Sequence, residues 1–241
     1  GANLNEDDKA KLREIDKQLS MLSLQFGQNV LAETNNFELI ITDENNLKGL
    51  PQYAIDQAKA DAEQKDKEGW LITLQAPSYI PFMQYAENRE LREKLFRANG
   101  VKAFQNNEYN NEENVKQLVK LRHERANILG YKSHAAYVLE ERMAKTPETV
   151  LDFLNDLLIK AKPFADKEIK ELADFAKETD GIETLQRWDH GYYAEKLKQK
   201  KFSLSDEALK PYFQLENVTQ GAFDVATKLF GITFKEIHNI D

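Results

Sequence analysis

The sequence predicts a mainly α-helical protein carrying one small antiparallel β element, and three observations point there. Apolar residues recur at three- and four-residue steps along most of the chain, the period of one helix face. Glycine and proline are scarce, 10 and 6 in 241 residues, so little interrupts those runs. Only two early stretches, 37–42 and 69–75, are rich instead in β-branched and aromatic residues. A chain of this length can bury a sizeable core as one large domain or two small ones.

Leu12, Ile15, Leu19, Leu22 and Phe26 form one stripe on a long first helix. Asn5 is placed to cap it, with Glu6, Asp7 and Asp8 in the first turn, where the helix dipole favours anions. Beyond Asn35 and Asn36, FELIIT (37–42) reads as a strand and DENNLKGLP as turns. Residues 51–68 then read as a mostly solvated Ala/Lys/Asp/Glu helix. GWLITLQAP (69–77) is the second strand, stopped by Pro77, and the two strands pair around the inserted helix.

From Pro81 the helices resume, with Leu91, Leu95, Ala98 and Val101 marking a buried face up to the NNEYNN loop at 106–111. Asn111 caps the next helix, which carries Val115, Leu118, Val119, Arg122, His123 and Ala126 and ends at Gly130. Ser133 caps a short helix through Met143. Thr146 and Pro147 open another that runs to about Lys177 and should bend at Pro163. Helices over 188–200 and 216–230, a capped turn at SLSDEALKPYF between them, and a β-like GITFKEI complete the chain. A composition shift near 77–81 separates residues 1–80, with the β element, from residues 81–241.

Composition removes several function classes. A net charge of -8 with no basic stripe argues against nucleic-acid binding. No apolar run approaches the roughly 18 residues of a membrane span, and no apolar signal region opens the chain. The absence of cysteine excludes disulfides, thiolate metal sites and cysteine nucleophiles. It suits a cytoplasmic protein and is compatible with a periplasmic one. Gly1-Ala2 reads as an expression scar, so the first residue is not taken as a natural start.

The chemical candidates are few. His123-Glu124 opens like a zinc-binding His-Glu-x-x-His helix, but the second histidine position holds Asn127, a poor ligand in such a site. Arg125 adds a cation that opposes a metal ion, and the bland reading is a surface histidine with local hydrogen bonds. His134 lies beyond a glycine break, His190 sits in WDHGYY, and His238 is near the chain end. Glu140, Glu141 and Arg142 are adjacent, so they point different ways on a helix and read as a solvated face. Trp188, Tyr192 and Tyr193, with Tyr212 and Phe213 further on, read as core packing in preference to a peptide-binding wall. No nucleophile elbow, phosphate loop or dinucleotide fingerprint occurs.

The order of segments adds a resemblance. LVKLRHERANILGYKSHAAYVLEERMAKTPETVLDFL resembles a stretch upstream of the active site in the thimet oligopeptidase family of zinc metallopeptidases. The later RWDHGYY and LKPYFQLENVTQGAFDVATKLFGITF resemble that family's "W-D-x-x-Y-Y" helix and "L-K-x-Y-F-x-L…G-x-F…L-F-G-I-x-F" region, in detail those of bacterial peptidyl-dipeptidases. The match runs best from Pro81 to Phe234.

What this resemblance implies is one multi-helix lobe of a channel-forming metallopeptidase that takes short peptides and releases C-terminal dipeptides. Zinc is expected in the whole protein and none on this chain, which lacks a His-Glu-x-x-His. Accordingly no catalytic, cofactor-binding or metal-binding residue is assigned to any position, and the chain is expected to be inactive alone. Its expected partners are short peptides and the remainder of its own polypeptide, with self-association of the truncated chain through GITFKEI or an uncovered face. The alternative is a self-contained helical module that binds protein or peptide without catalysis.

Overall fold

In the computed structural model, which describes residues 3–203 and 206–239, α1 (Glu6–Asn36) begins where Asn5 Oδ1 accepts the Asp8 N–H at 2.8 Å. Ile15 is buried and Leu12, Leu19 and Leu22 are partly so, which makes this part of the apolar stripe the inward face, whereas Phe26 at its end is exposed. The chain divides into two units, residues 1–194 and 195–241.

In the first unit β1 (Leu39–Ile41) pairs antiparallel with β2 (Trp70–Ile72), with Leu39 opposite Ile72 and Ile41 opposite Trp70. α2 (Gln52–Gln64) is inserted between them and turns Ala58 and Ala62 inward. Leu39, Ile41, Leu47, Leu50, Ile72, Leu74, Phe82 and Leu95 make one apolar core. The second strand is shorter than 69–77, because Pro77 opens a helix instead of stopping a strand. α3 (Ala76–Tyr85) carries Pro77 in its first turn, where a missing N–H costs no helical bond, so helices resume before Pro81.

α4 (Arg89–Gly100) is capped by Asn88, whose Oδ1 accepts the Leu91 N–H. α5 (Glu112–Ile128) packs along α1. Asn111 precedes it but caps nothing with its side chain. Its Oδ1 accepts from Asn29 Nδ2 at 2.9 Å and its Nδ2 donates to the Phe26 carbonyl at 3.1 Å, so the residue is spent on tying the loop to α1. Gln105 and Asn107 both donate amide N–H groups to Glu33, which fastens the preceding loop to the same helix.

α6 (His134–Leu139) is capped by Ser133 and stops four residues short of Met143. α7 (Pro147–Asp180) starts at Thr146, contains Pro163, and ends at Gly181, whose φ of +68° is the left-handed cap that glycine adopts freely. α8 (His190–Phe202) begins two residues later than expected. The Asp189 and Gln186 main chains bond to each other, and the Asp189 side chain accepts the Gln186 N–H, which closes a turn before the helix.

In the second unit α9 (Asp206–Leu209) and a 3-10 turn (Lys210–Tyr212) lie within the expected SLSDEALKPYF turn, whose Leu204 and Ser205 fall outside the described residues. α10 (Leu215–Phe230) ends at Gly231. The β-like GITFKEI forms no strand. A strand needs a ladder partner, the described residues supply none, and Phe234 stacks on Phe223 with ring centroids 4.4 Å apart.

Candidate functional site

The His-Glu pair stands on α5, and the residue one turn on decides what it can do. Asn127 Nδ2 lies 3.0 Å from His123 Nε2, an amide donor occupying the ring lone pair that a metal would need. Glu124 reaches only toward Lys120, at 3.9 Å. His134 is partly buried, its Nδ1 makes no hydrogen bond, and burial, followed by the charges of Arg122 and Arg125, pushes its pKa down. Arg125 is itself held by Asp16 at 2.6 Å and lies over the Tyr137 ring. His190 is exposed, and His238 is 3.7 Å from Glu236. Among the described residues no group of three histidines or carboxylates is placed to hold a metal ion. The donor set does not fit zinc.

Glu140, Glu141 and Arg142 are all exposed. Tyr131 donates its phenol to Glu140, a contact that raises the Tyr131 pKa. A groove of about 760 Å³ runs between α1 and α5 past Ile15, Gln18, Leu121, Glu124, Asn127 and Ile128. Lys11, Glu14, Lys120 and Glu124 also line it, and Lys120 and Glu124 approach each other at 3.9 Å as an exposed helix pair.

The strongest electrostatic arrangement lies in WDHGYY, and it is structural. Asp189 is fully buried and accepts from Arg89 through both oxygens, at 2.9 and 2.7 Å, and from Arg92 Nη2 at 3.2 Å. Arg92, 1% exposed, also donates to the carbonyls of Trp188, Ala86 and Glu87, and its guanidinium lies 4.1 Å from the Tyr192 ring centre. Burial would push the Asp189 carboxyl up. The Arg89 hydrogen bonds, the Gln186 N–H, the Arg89 charge and Arg92 outweigh it and hold the carboxyl below its usual range. Tyr193, 2% exposed, donates to Asp180 at 2.9 Å, and burial together with that bond pushes its pKa well up.

Trp188, Tyr192 and Tyr193 are therefore brought together as packing around an ion pair, while Tyr212 and Phe213 are exposed in the second unit. Arg89, Arg92 and Asp180 were missed in the sequence. The signal available was Arg92 set beside Leu91 and Leu95 on an otherwise apolar helix face.

Comparison with known proteins gives this scaffold a place. Residues 82–241 match the description of peptidase family M3. Oligopeptidase A of Salmonella typhimurium is 41% identical over the whole of this chain, which spans 36% of that protein. Dipeptidyl carboxypeptidase of Escherichia coli is 34% identical, again over the whole chain and 36% of its own length. Probable cytosolic oligopeptidase A of Arabidopsis thaliana is 36% identical over 96% of this chain and 34% of its own length. The chain belongs to peptidase family M3, and it spans about a third of the length of these curated relatives. No helix among the described residues is long and apolar enough to cross a membrane.

Proposed function

We propose that this chain is the scaffold portion of a zinc-dependent peptidase that acts on short peptides and releases dipeptides from free C-termini. One observation carries the reading: the whole chain aligns with peptidases, yet its lone His-Glu helix holds Asn127 where the second imidazole would stand. The metal and its chemistry then belong to polypeptide beyond this chain, which supplies lobe and channel wall and is inactive by itself. Residues 1–80 serve as an upstream region and 81–241 as the first part of the peptidase domain. Short peptides and the rest of its own polypeptide are its partners, and the cytoplasm is its compartment.

A second reading, an oligopeptidase that does not trim dipeptides, is favoured by the 41% identity to oligopeptidase A. The experiment is product analysis by mass spectrometry. The polypeptide encoded by the longer reading frame is incubated with one peptide in free-acid and C-terminally amidated forms. Successive loss of two-residue units from the free acid only is the expected result. Equal cleavage of both forms selects the second reading. A reading frame without His-Glu-x-x-His ends the peptidase assignment.

A further inference from the structure

The long helix α7 has two halves that differ in cover. Near its C-terminal end Leu172, Phe175 and Ala176 are buried. Steps of three and four back from Leu172 meet Ile169, Ala165, Ala161, Leu158, Leu154 and Leu151, all apolar and all on the same helix face. Residues 151–170 are nonetheless exposed without exception, Leu154 at 51%, Leu158 at 58% and Phe164 at 70%. Away from this face run the ion pairs Lys160–Asp156 and Lys170–Asp174, so that side is built for water. Contiguous apolar residues left bare on one helix face mark a surface that another element covers.

We infer that the Leu151–Ile169 face of α7 is the seat of the remainder of the same peptidase polypeptide, packed on it as a helix. This rests on the functional reading above. Two observations favour that occupant over a second copy. The bare stripe continues a stripe that already belongs to an intramolecular core, so covering it extends that core. This chain also makes up only 36% of oligopeptidase A, which leaves most of such a protein to supply the cover.

Cysteine labelling tests it, because this chain contains no cysteine. Leu158→Cys on the bare face and Asp152→Cys away from it are each made in the 241-residue chain and in the whole polypeptide, and maleimide modification is followed at that peptide by mass spectrometry. The inference expects position 158 to react at least about tenfold more slowly in the whole polypeptide, with position 152 equal in both. Equal rates at position 158 overturn it. Protection of position 158 in the 241-residue chain, growing with its concentration, assigns the face to a second copy and also overturns it. Peptide hydrolysis by the whole polypeptide, measured on the same samples, reads the functional assignment separately.

Discussion

Arg92 and Asp189, both sealed from solvent, meet at 3.2 Å although 97 positions separate them in the chain. A buried cation and a buried carboxylate are each costly alone, so Arg92 depends on Asp189, and Asp189 on Arg92 and the bidentate Arg89 together. Three further Arg92 N–H groups go to main-chain carbonyls, so four of the guanidinium's five donors are used. Replacing Asp189 with Ala strands that cation. The expected loss is about 3–5 kcal/mol, seen as a fall in Tm on the order of 10 °C. Arg89→Ala removes a side chain that is 39% exposed but bonds both oxygens of the buried carboxylate, and with Arg92 still in place it should lose about 1–3 kcal/mol. Equal losses from the two variants would show that burial is not what sets the cost.

The same site fixes the response to acid and alkali. Asp189 has a lowered pKa, so its contribution is whole above the unfolded value of about 3.9 and is lost as pH falls through the folded value. Tyr193 has a raised pKa, so its contribution is whole below about 10 and is lost as pH rises beyond it. Urea unfolding from pH 7 down to 3 should show an acid slope that Asp189→Asn flattens. Unfolding from pH 9 to 11 should show an alkaline slope that Tyr193→Phe flattens.

Asn111 ties the start of α5 to α1 through Asn29 and the Phe26 carbonyl. Asn111→Ala leaves the buried Asn29 amide short of an acceptor. It should cost about 1–3 kcal/mol, whereas Asn114→Ala, which touches the same oxygen from a more open position, should cost less. Chemical unfolding of both variants measures the difference.

Gly49 has a φ of +87°, and a Cβ built there would stand 2.1 Å from the Tyr85 carbonyl oxygen. Backbone cannot yield as a flexible side chain can. Gly49→Ala should therefore destabilise the first unit by more than the roughly 1 kcal/mol that a left-handed φ costs alone. Gly27→Ala, on α1 with open space around the added carbon, should be neutral or mildly stabilising. Thermal unfolding of the two variants decides.

Much of the fold was legible because its signals are local. The α1 stripe, the Asn5, Ser133 and Thr146 caps, and the two β runs around α2 all lie within a few residues of their effect. The failures came where distant chain decided. Asn111 looked like a cap and was claimed by α1, 82 positions away. GITFKEI had the residues of a strand and no neighbour to pair with, and Pro77 had the look of a strand breaker while serving as a helix opener. At the candidate site the sequence already marked the WDHGYY aromatics as packing, and Tyr192 and Tyr193 are buried. It could not show Arg92, because an ion pair across 97 positions leaves no local trace.

The central claim is that these helices carry a peptidase's framework without its reactive centre, and one assay meets it head on. The purified 241-residue chain, supplied with zinc, is incubated with a short fluorogenic peptide, with and without a chelator. The account predicts no hydrolysis above the buffer rate in either arm. Turnover that the chelator abolishes and added zinc restores would contradict it.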